Sequence, residues 1–339
     1  MWKPKLSKVE QSYFIGVDVS KNKVDIAVIA RTQEVVLERE VPNTDVSLKR
    51  FFGSLIKQFA WCSSDVLICC ETTGIYSNPL KRVTLELGLK LWVEHAMKVK
   101  RASTDMRGKD DRTDARRIAE YALRYSDRKR LYVAESTAMK RLGTQGKIRN
   151  TLLKKRTSLE NELREAKAMD IALYRELKAV YGPVISSLNR QLKKVEEVIR
   201  TLVKQDEDIR QNMKLLQSIP GVGEQVSLHL ILRTNNFKSI SSPKQLACYA
   251  GVAPFKNESG VKIKRARVSH MADKQLKKIL HLAAMAAIRS KGELNEYYQR
   301  KTEEGKNKMS TINAVRNKII HRVYAVVERQ SPYQIKLEI

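Results

Sequence analysis

Apolar residues in the first third of the chain come in short runs separated by turn-forming residues. Phe14 to Val19 reads as an apolar strand, Lys21-Asn22-Lys23 as a turn, and Val24 to Ala30 and Val35 to Val41 as two more strands, which predicts an antiparallel meander. Leu48 to Phe59 has the spacing of an amphipathic helix, and Val66 to Cys70 is a wholly apolar strand closed by Glu71. Pro79 to Leu87 reads as a helix stopped by Gly88, Leu89 to Val93 as a strand, and Thr113 to Tyr125 as a helix with Ile118, Ala119 and Ala122 on one side. Strands alternating with helices predict an α/β domain.

From about Ile148 the period changes. Leu152, Leu159, Ala166, Leu173 and Val180 recur at seven-residue steps, with Leu163 and Leu177 between them. Tyr181-Gly182-Pro183 is expected to break that run, because Gly and Pro punctuate helices. A second series follows in Leu188, Val195, Leu202 and Ile209, with Leu192 and Ile199 between. Two heptad segments around a breaker predict a helical hairpin or a pair of coiled-coil helices, with one long kinked helix as the alternative. Such a segment serves as a spacer or an oligomerisation element; core packing within one monomer accounts for the stripe equally well. The C-terminal third reads as helical and basic, ending in a helix from Met309 to Glu328 with Ile312, Val315, Ile319, Val323 and Val326 on one stripe.

Composition sharpens the picture. In 339 residues, 65 Lys and Arg face 37 Asp and Glu, a net charge of +28, while the apolar fraction of 42% is ample for a folded core. So large a positive excess points first to nucleic acid and second to an anionic membrane surface. No apolar stretch approaches the ~20 residues a membrane helix needs, and Met1 to Glu10 lacks the apolar core of an export signal. Cys62, Cys69, Cys70 and Cys248 show no paired spacing, so neither a zinc site nor a disulfide framework is expected. A cytoplasmic, polyanion-binding protein with no membrane segment is the reading at this level. Not every cation need be functional: Lys98 to Arg130 carries twelve Lys or Arg against six acids, and part of it must be a solvated face.

The candidate chemistry begins with acids in the basic chain. Asp18 lies at the end of the first strand, Glu71 closes the fourth, and Asp111 and Asp114 open a helix, three apart and hence on one face. Carboxylates at strand ends beside a helix start can converge, and four oxygen donors with no His or Cys suit Mg²⁺. Two such ions about 4 Å apart stabilise the attacking and leaving oxygens of phosphoryl transfer. Taken singly, Asp18 is as well read as a polar strand terminus, and Asp114 as a helix-dipole charge. Asp110 competes with Asp111, since only one of the pair need point inward. Asp, meander, Glu and Asp-x-x-Asp in this order resemble the RNase H-like fold of RuvC-type nucleases. The opening Gly16-Val17-Asp18-Val19-Ser20-Lys21 also resembles an actin-like or sugar kinase, but the Gly-rich adenosine motif that such a domain requires does not follow.

Two further motifs lie in the C-terminal third. Leu216 to Gly223, with Ser218-Ile219-Pro220-Gly221-Val222-Gly223, resembles a helix–hairpin–helix turn in which Gly221 and Gly223 let backbone N–H groups approach a phosphate; the plain alternative is a Pro-Gly turn between helices. Next comes Ser242 to Pro254, then Glu258-Ser259-Gly260 and the basic run Lys262, Lys264, Arg265 and Arg267; Phe255 to Lys278 holds eight Lys or Arg against two acids. A serine in a basic loop is a candidate nucleophile once activated, although Ser-Gly is also a common loop pair.

Together these motifs resemble the IS one-ten family of insertion-sequence transposases, the DEDD transposases related to Piv invertases. The resemblance runs from about Phe14 to Arg289 and is most specific at Phe14–Lys21, Glu71–Tyr76, Asp111–Ala115 and Ser218–Arg267. It implies a RuvC-like DEDD domain at 12–130, a helical coiled-coil segment at 131–212 and a mainly helical transposase domain at 213–339. It implies that Asp18, Glu71, Asp111 and Asp114 are the Mg²⁺-binding acids and that Ser259 is the nucleophile, cleaving and rejoining donor and target DNA through a phosphoserine link. Guidance by a noncoding bridge RNA and assembly of dimers into a tetramer are implied as well. A RuvC-like nuclease or junction resolvase without a covalent intermediate, and a noncatalytic nucleic-acid binder, are the rival readings. In the transposase reading, acids and serine lie on different domains and must meet across a fold or between protomers.

Overall fold

The computed structural model describes residues 11–102, 111–253, 255–259, 262–267 and 272–334; at 111, 112, 255–259 and 262–267 it describes the backbone alone. The chain divides into two compact units, Met1–Ala134 and Glu135–Ile339. The segments 131–212 and 213–339, read separately in the sequence, thus share almost entirely the second unit. No helix among the described residues is long and apolar enough to cross a membrane.

The first unit is built on a five-stranded sheet of β1 (Tyr13–Val19), β2 (Lys23–Ala30), β3 (Val35–Pro42), β4 (Val66–Glu71) and β5 (Lys90–Glu94), in the order β3-β2-β1-β4-β5. β1, β2 and β3 form the expected antiparallel meander; β4 runs parallel to β1 and β5 parallel to β4. The central strands β1 and β4 are apolar on both faces because both faces are covered, whereas the edge strand β3 is largely exposed. One face (Ile15, Val17, Ile26, Ile68, Cys70) packs on α1 (Asp45–Phe59) and α2 (Asn78–Glu86) through Leu48, Phe52, Leu55, Leu80 and Val83. The other face (Phe14, Ile29, Leu67, Cys69, Trp92) packs on α3 (Ala96–Ala102) and α4 (Asp111–Arg124) through Val99, Ile118, Ala119 and Ala122. Both thiols of the Cys69-Cys70 pair are buried, and burial pushes the Cys70 thiol up to about 12, so neither is a nucleophile at neutral pH.

The second unit opens with two long helices, α5 (Thr137–Met169) and α6 (Ile171–Gln205), separated by Asp170 alone. Arg149 pairs with Glu196 (2.8 Å), Arg156 with Asn189 (3.1 Å) and Tyr181 with Glu162 (3.0 Å), a register that fixes them as an antiparallel hairpin. The break expected at Tyr181-Gly182-Pro183 is absent: α6 runs through an exposed Pro183, and the chain reverses at Asp170 instead. Asp170 decides the reversal by capping α6, its Oδ1 accepting from the N–H groups of Ala172 and Leu173. Proline costs a helix interior about 3 kcal/mol, which a 35-residue helix packed against a partner can carry. The hairpin is buried at its base (Met139, Leu142, Leu192, Ile199, Leu202) and exposed toward its tip, where Met169 is 88% and Val180 65% exposed.

The rest of the unit is α7 (Glu207–Gln217), α8 (Glu224–Thr234), α9 (Pro243–Tyr249), the two-stranded hairpin β6 (Phe255–Ser259) and β7 (Lys262–Arg267), α10 (Lys274–Arg289), α11 (Glu293–Glu303) and α12 (Lys308–Arg329). Its core joins α7, α8, α10 and α12 through Leu216, Leu230, Ile231, Leu280, Ala284, Val315, Ile319 and Val323. The strand pair lies in a domain read from sequence as mainly helical, with Ser259 in a basic loop.

Candidate functional site

Period-two alternation puts Phe14, Gly16 and Asp18 of β1, Leu67, Cys69 and Glu71 of β4, and Trp92 and Glu94 of β5 on the face covered by α4. Asp18 lies beside the end of β1, Glu71 ends β4 and Glu94 ends β5. The carboxylates therefore gather at the carboxyl edge of the parallel strands, where open sheets place their ligand sites. Asp114 reaches that edge from the first turn and a half of α4. Gly16 sets how close it comes. A β-carbon there would collide with the carbonyl oxygen of Ala115 and the amide nitrogen of Ala119, so only glycine lets the α4 backbone lie directly on β1.

The charges report the convergence. Burial pushes the carboxyl of the half-exposed Glu71 above its ordinary value, the negative charges of Asp18 and Asp114 push it further, and the Arg117 guanidinium pulls it back. Arg117 also pairs with Asp114 at 2.7 Å. The donor chemistry at this edge, carboxylate oxygens of which Asp18 and Asp114 raise the proton affinity of Glu71, fits a hard divalent cation. Among the described residues no three acids stand close enough to chelate one in the present arrangement. Asp111 occupies the first position of α4; its side chain, and all of Asp110, lie outside the described residues.

Two acids at this edge escaped the sequence reading. Asp25, 5% exposed, stands directly opposite Asp18 across the β1–β2 pair and meets Lys23 at 3.4 Å. Its place two residues into the strand after a tight turn marks it as the partner of Asp18, a signal that alternation alone supplies. Glu94, 8% exposed, accepts from Lys98 Nζ (2.9 Å), the His95 N–H (2.8 Å) and the Tyr121 hydroxyl (3.3 Å). It ends an apolar strand just as Glu71 does.

In the second unit, residues 218–223 join α7 to α8. Gly221, at φ +84°, is in the left-handed region, and a β-carbon on it would strike the Ala283 carbonyl and Ala287 of α10. Its close approach is thus to protein, docking the turn on α10. Gly223 is exposed and caps α8 without a side-chain bond, and the first turn of that helix carries Glu224, paired with Arg200 at 3.3 Å. Ser259 is the last residue of β6, in register with Lys262; Lys262, Lys264, Arg265 and Arg267 all lie on β7, and none of these side chains is among the described groups. The described roots of this hairpin are tied down. On entry, Asn313 Nδ2 donates to the Val252 carbonyl (2.7 Å). On exit, the Asp273 N–H donates to the Tyr249 carbonyl (2.9 Å), and the Asp273 carboxylate takes Arg233 Nε (2.7 Å) and the Tyr249 hydroxyl (3.3 Å) while capping α10.

Two family models match the chain: one described as a transposase of the DEDD IS110 type over residues 15–168, and one described as the transposase IS116/IS110/IS902 family over 213–299. The chain belongs to the IS110 family of transposases. The family's first segment holds every carboxylate at the sheet edge, and its second holds the 218–223 turn and the β6–β7 hairpin. Two relatives match over nearly full length. The pilin gene-inverting protein of Moraxella bovis is 24% identical over 332 residues, covering 96% of this chain and 98% of that protein. The transposase for insertion sequence element IS1111A of Coxiella burnetii is 23% identical over 363 residues, covering 98% and 94%. Among solved structures, T. thermophilus RuvC in complex with a Holliday junction substrate matches 35% of this chain and 96% of that chain, at 11% identity and a TM-score of 0.27.

Proposed function

We propose that this IS110-family member is an insertion-sequence transposase that cuts and rejoins donor and target DNA through a phosphoserine intermediate at Ser259, with Mg²⁺ held by Asp18, Glu71, Asp111 and Asp114. The observation that carries the reading is the placement of Asp18, Glu71 and Asp114 at one sheet edge, where Asp18 and Asp114 push the Glu71 carboxyl above its ordinary value. A protein with +28 net charge that concentrates acids at one sheet edge has collected them against its own composition. The β3-β2-β1-β4-β5 order, an antiparallel meander continued by two parallel strands, supports an RNase H-like, RuvC-like reading of this unit.

In this mechanism the Ser259 Oγ attacks a backbone phosphorus. An Oγ–P bond forms, the P–O bond to the neighbouring nucleotide breaks, the seryl proton passes to solvent and the leaving oxygen takes up a proton. A hydroxyl of the second strand then attacks the phosphoserine and releases Ser259, so the phosphodiester energy is conserved and no nucleotide is consumed. A divalent ion, when bound, supplies charge neutralisation at the transferring phosphoryl group. Lys262, Lys264, Arg265, Arg267 and the α8 N-terminus at Gly223 meet phosphates, and Gly221 fixes the turn that presents it. Target choice rests on a noncoding bridge RNA in this reading, so that base pairing and not side chains carries the sequence specificity. The exposed apolar tip of the α5–α6 hairpin (Leu173, Val180, Val184) favours a homo-oligomer, a dimer or tetramer. The place of action is the cytoplasm, beside the DNA.

The test is to trap a denaturant-resistant protein–DNA adduct with the full chain and Mg²⁺. Ser259→Ala abolishes the adduct and leaves DNA binding within about twofold. Strand cleavage without any adduct in the native chain would establish instead a metal-dependent nuclease in which water attacks.

A further inference from the structure

Arg316 on α12 is 6% exposed, yet among the described residues no carboxylate lies within ion-pair distance of it. The contrast with its neighbours is sharp. The other half-buried arginines of this unit each face an acid: Arg149 faces Glu196, Arg156 faces Glu160, Arg233 faces Asp273 and Arg322 faces Glu293. The partners of Arg316 are neutral. One terminal nitrogen bonds His281 Nδ1 on α10 at 2.6 Å, the other reaches Asn313 Oδ1 at a long 3.4 Å, and Nε is buried with no acceptor.

His281 accepts at Nδ1 only as the neutral ring. Partial burial and the adjacent guanidinium hold its proton affinity below the ordinary value, consistent with that role. A guanidinium offers five N–H groups in a rigid fork, and here the buried Nε–H goes unmet. A buried cation without a counter-charge is costly, so a fold that keeps one is poised for an anion. Location narrows the class of anion. Asn313, which touches Arg316, also holds the Val252 carbonyl at the entry root of the β6–β7 hairpin, and His281 lies on the helix that begins at the exit root. The arginine therefore lies at the base of the basic hairpin that carries Ser259, and outside the matched family segment 213–299.

We propose that Arg316, with His281 and Asn313, is a phosphate-binding site that takes a backbone phosphate of the DNA strand, clamping it bidentately at the root of the hairpin. This rests on the reading of the chain as a DNA-processing enzyme, and the test separates the two.

The full-length protein and Arg316→Met, which keeps length and apolar bulk, are compared in two ways. The first is thermal unfolding with and without inorganic phosphate. The second is binding to a DNA duplex and to an RNA of the same length across a salt series. The expected result has three parts. Without phosphate, Arg316→Met unfolds at or above the native temperature, because an uncompensated charge has been removed. Phosphate raises the native midpoint and leaves that of the variant unmoved. DNA binding weakens about tenfold, and the slope of log affinity against log salt becomes shallower by about 1. Arg316→Lys keeps the slope but not the full affinity, since the fork is lost.

An Arg316→Met protein that unfolds early, while its phosphate response and DNA slope match the native ones, shows a purely structural arginine and overturns the proposal. Weakening confined to RNA overturns the assignment to DNA. If the native chain binds no DNA at all, the functional reading falls. If it binds DNA and the variant binds equally well, only the Arg316 site falls.

Discussion

At the N-terminal sheet edge, each described acid of the proposed metal site is fixed by well-packed secondary structure. Asp18 sits on a strand buried on both faces, Glu71 ends its parallel neighbour, and Asp114 lies on a helix pressed onto Gly16. Ser259 has a different setting: it ends a strand of a two-stranded hairpin whose described anchors are at its roots, in the Asn313–Val252 bond and the Asp273 network. One site depends on how closely a helix lies on a sheet, the other on how a short hairpin is tethered. Ion chelation demands carboxylates placed to within a fraction of an ångström and so suits a rigid scaffold, while a nucleophile must follow a substrate that arrives from outside. The two sites should therefore fail in different ways.

The largest expected effect comes from Gly16→Ala. The added methyl group meets backbone, not a flexible side chain, so α4 must lift from β1 or the unit must loosen. A stability loss of about 3 kcal/mol is expected, with loss of Mg²⁺-dependent cleavage even at temperatures where the variant stays folded. A near-native midpoint and normal cleavage would show that α4 need not lie so close. The matching insult at the hairpin is Asp273→Asn, which preserves the cap on α10 but removes the pairing with Arg233. It should cost about 1 kcal/mol and lower adduct formation much more than it lowers the midpoint.

Between these lies an acid response specific to the second unit. His229 on α8 is 7% exposed, and burial, with Arg233 and Arg149 nearby, holds its ring down to about 4. The unfolded chain takes up this proton near pH 6.5. The stabilisation is thus full above that value and is lost as pH falls toward 4, by about 3 kcal/mol in all. His229→Gln should flatten this part of the stability–pH curve in the second unit, and an unchanged slope would place the acid sensitivity elsewhere.

How much of this was legible in the chain follows the same division. The strands β1 to β5, helix α4 and the acids Asp18, Glu71 and Asp114 could be read because a two-face-covered sheet demands continuous apolar runs, against which a terminal carboxylate stands out. Asp25 was passed over inside a run, Val24 to Ala30, read only as an apolar strand, and Glu94 was lost to a strand read one residue short. The role of Gly16 is a property of packing that no local pattern announces. In the α5–α6 hairpin the heptad series ran straight through Asp170, so the period could not see the true reversal. Asp before an apolar helix start was the available signal, and Gly182-Pro183 outweighed it. The β6–β7 pair was hidden because Lys262 to Arg267 lacks an apolar face, and Arg316 could not be recognised because what distinguishes it is tertiary: among the described residues its side-chain partners, His281 and Asn313, are neutral.

The smallest effect on folding, and the most informative on function, is expected from Glu71→Gln. Removing a carboxylate that its neighbours disfavour should leave the melting midpoint level or slightly higher, and DNA binding intact. The decisive measurement is the yield of the Ser259–DNA adduct for the native chain and for Glu71→Gln across a Mg²⁺ titration. The account predicts a Mg²⁺-dependent adduct in the native protein and a yield at least about 10²-fold lower in the variant at every concentration. Equal yields from the two would contradict it, by showing that the serine works without the acidic edge.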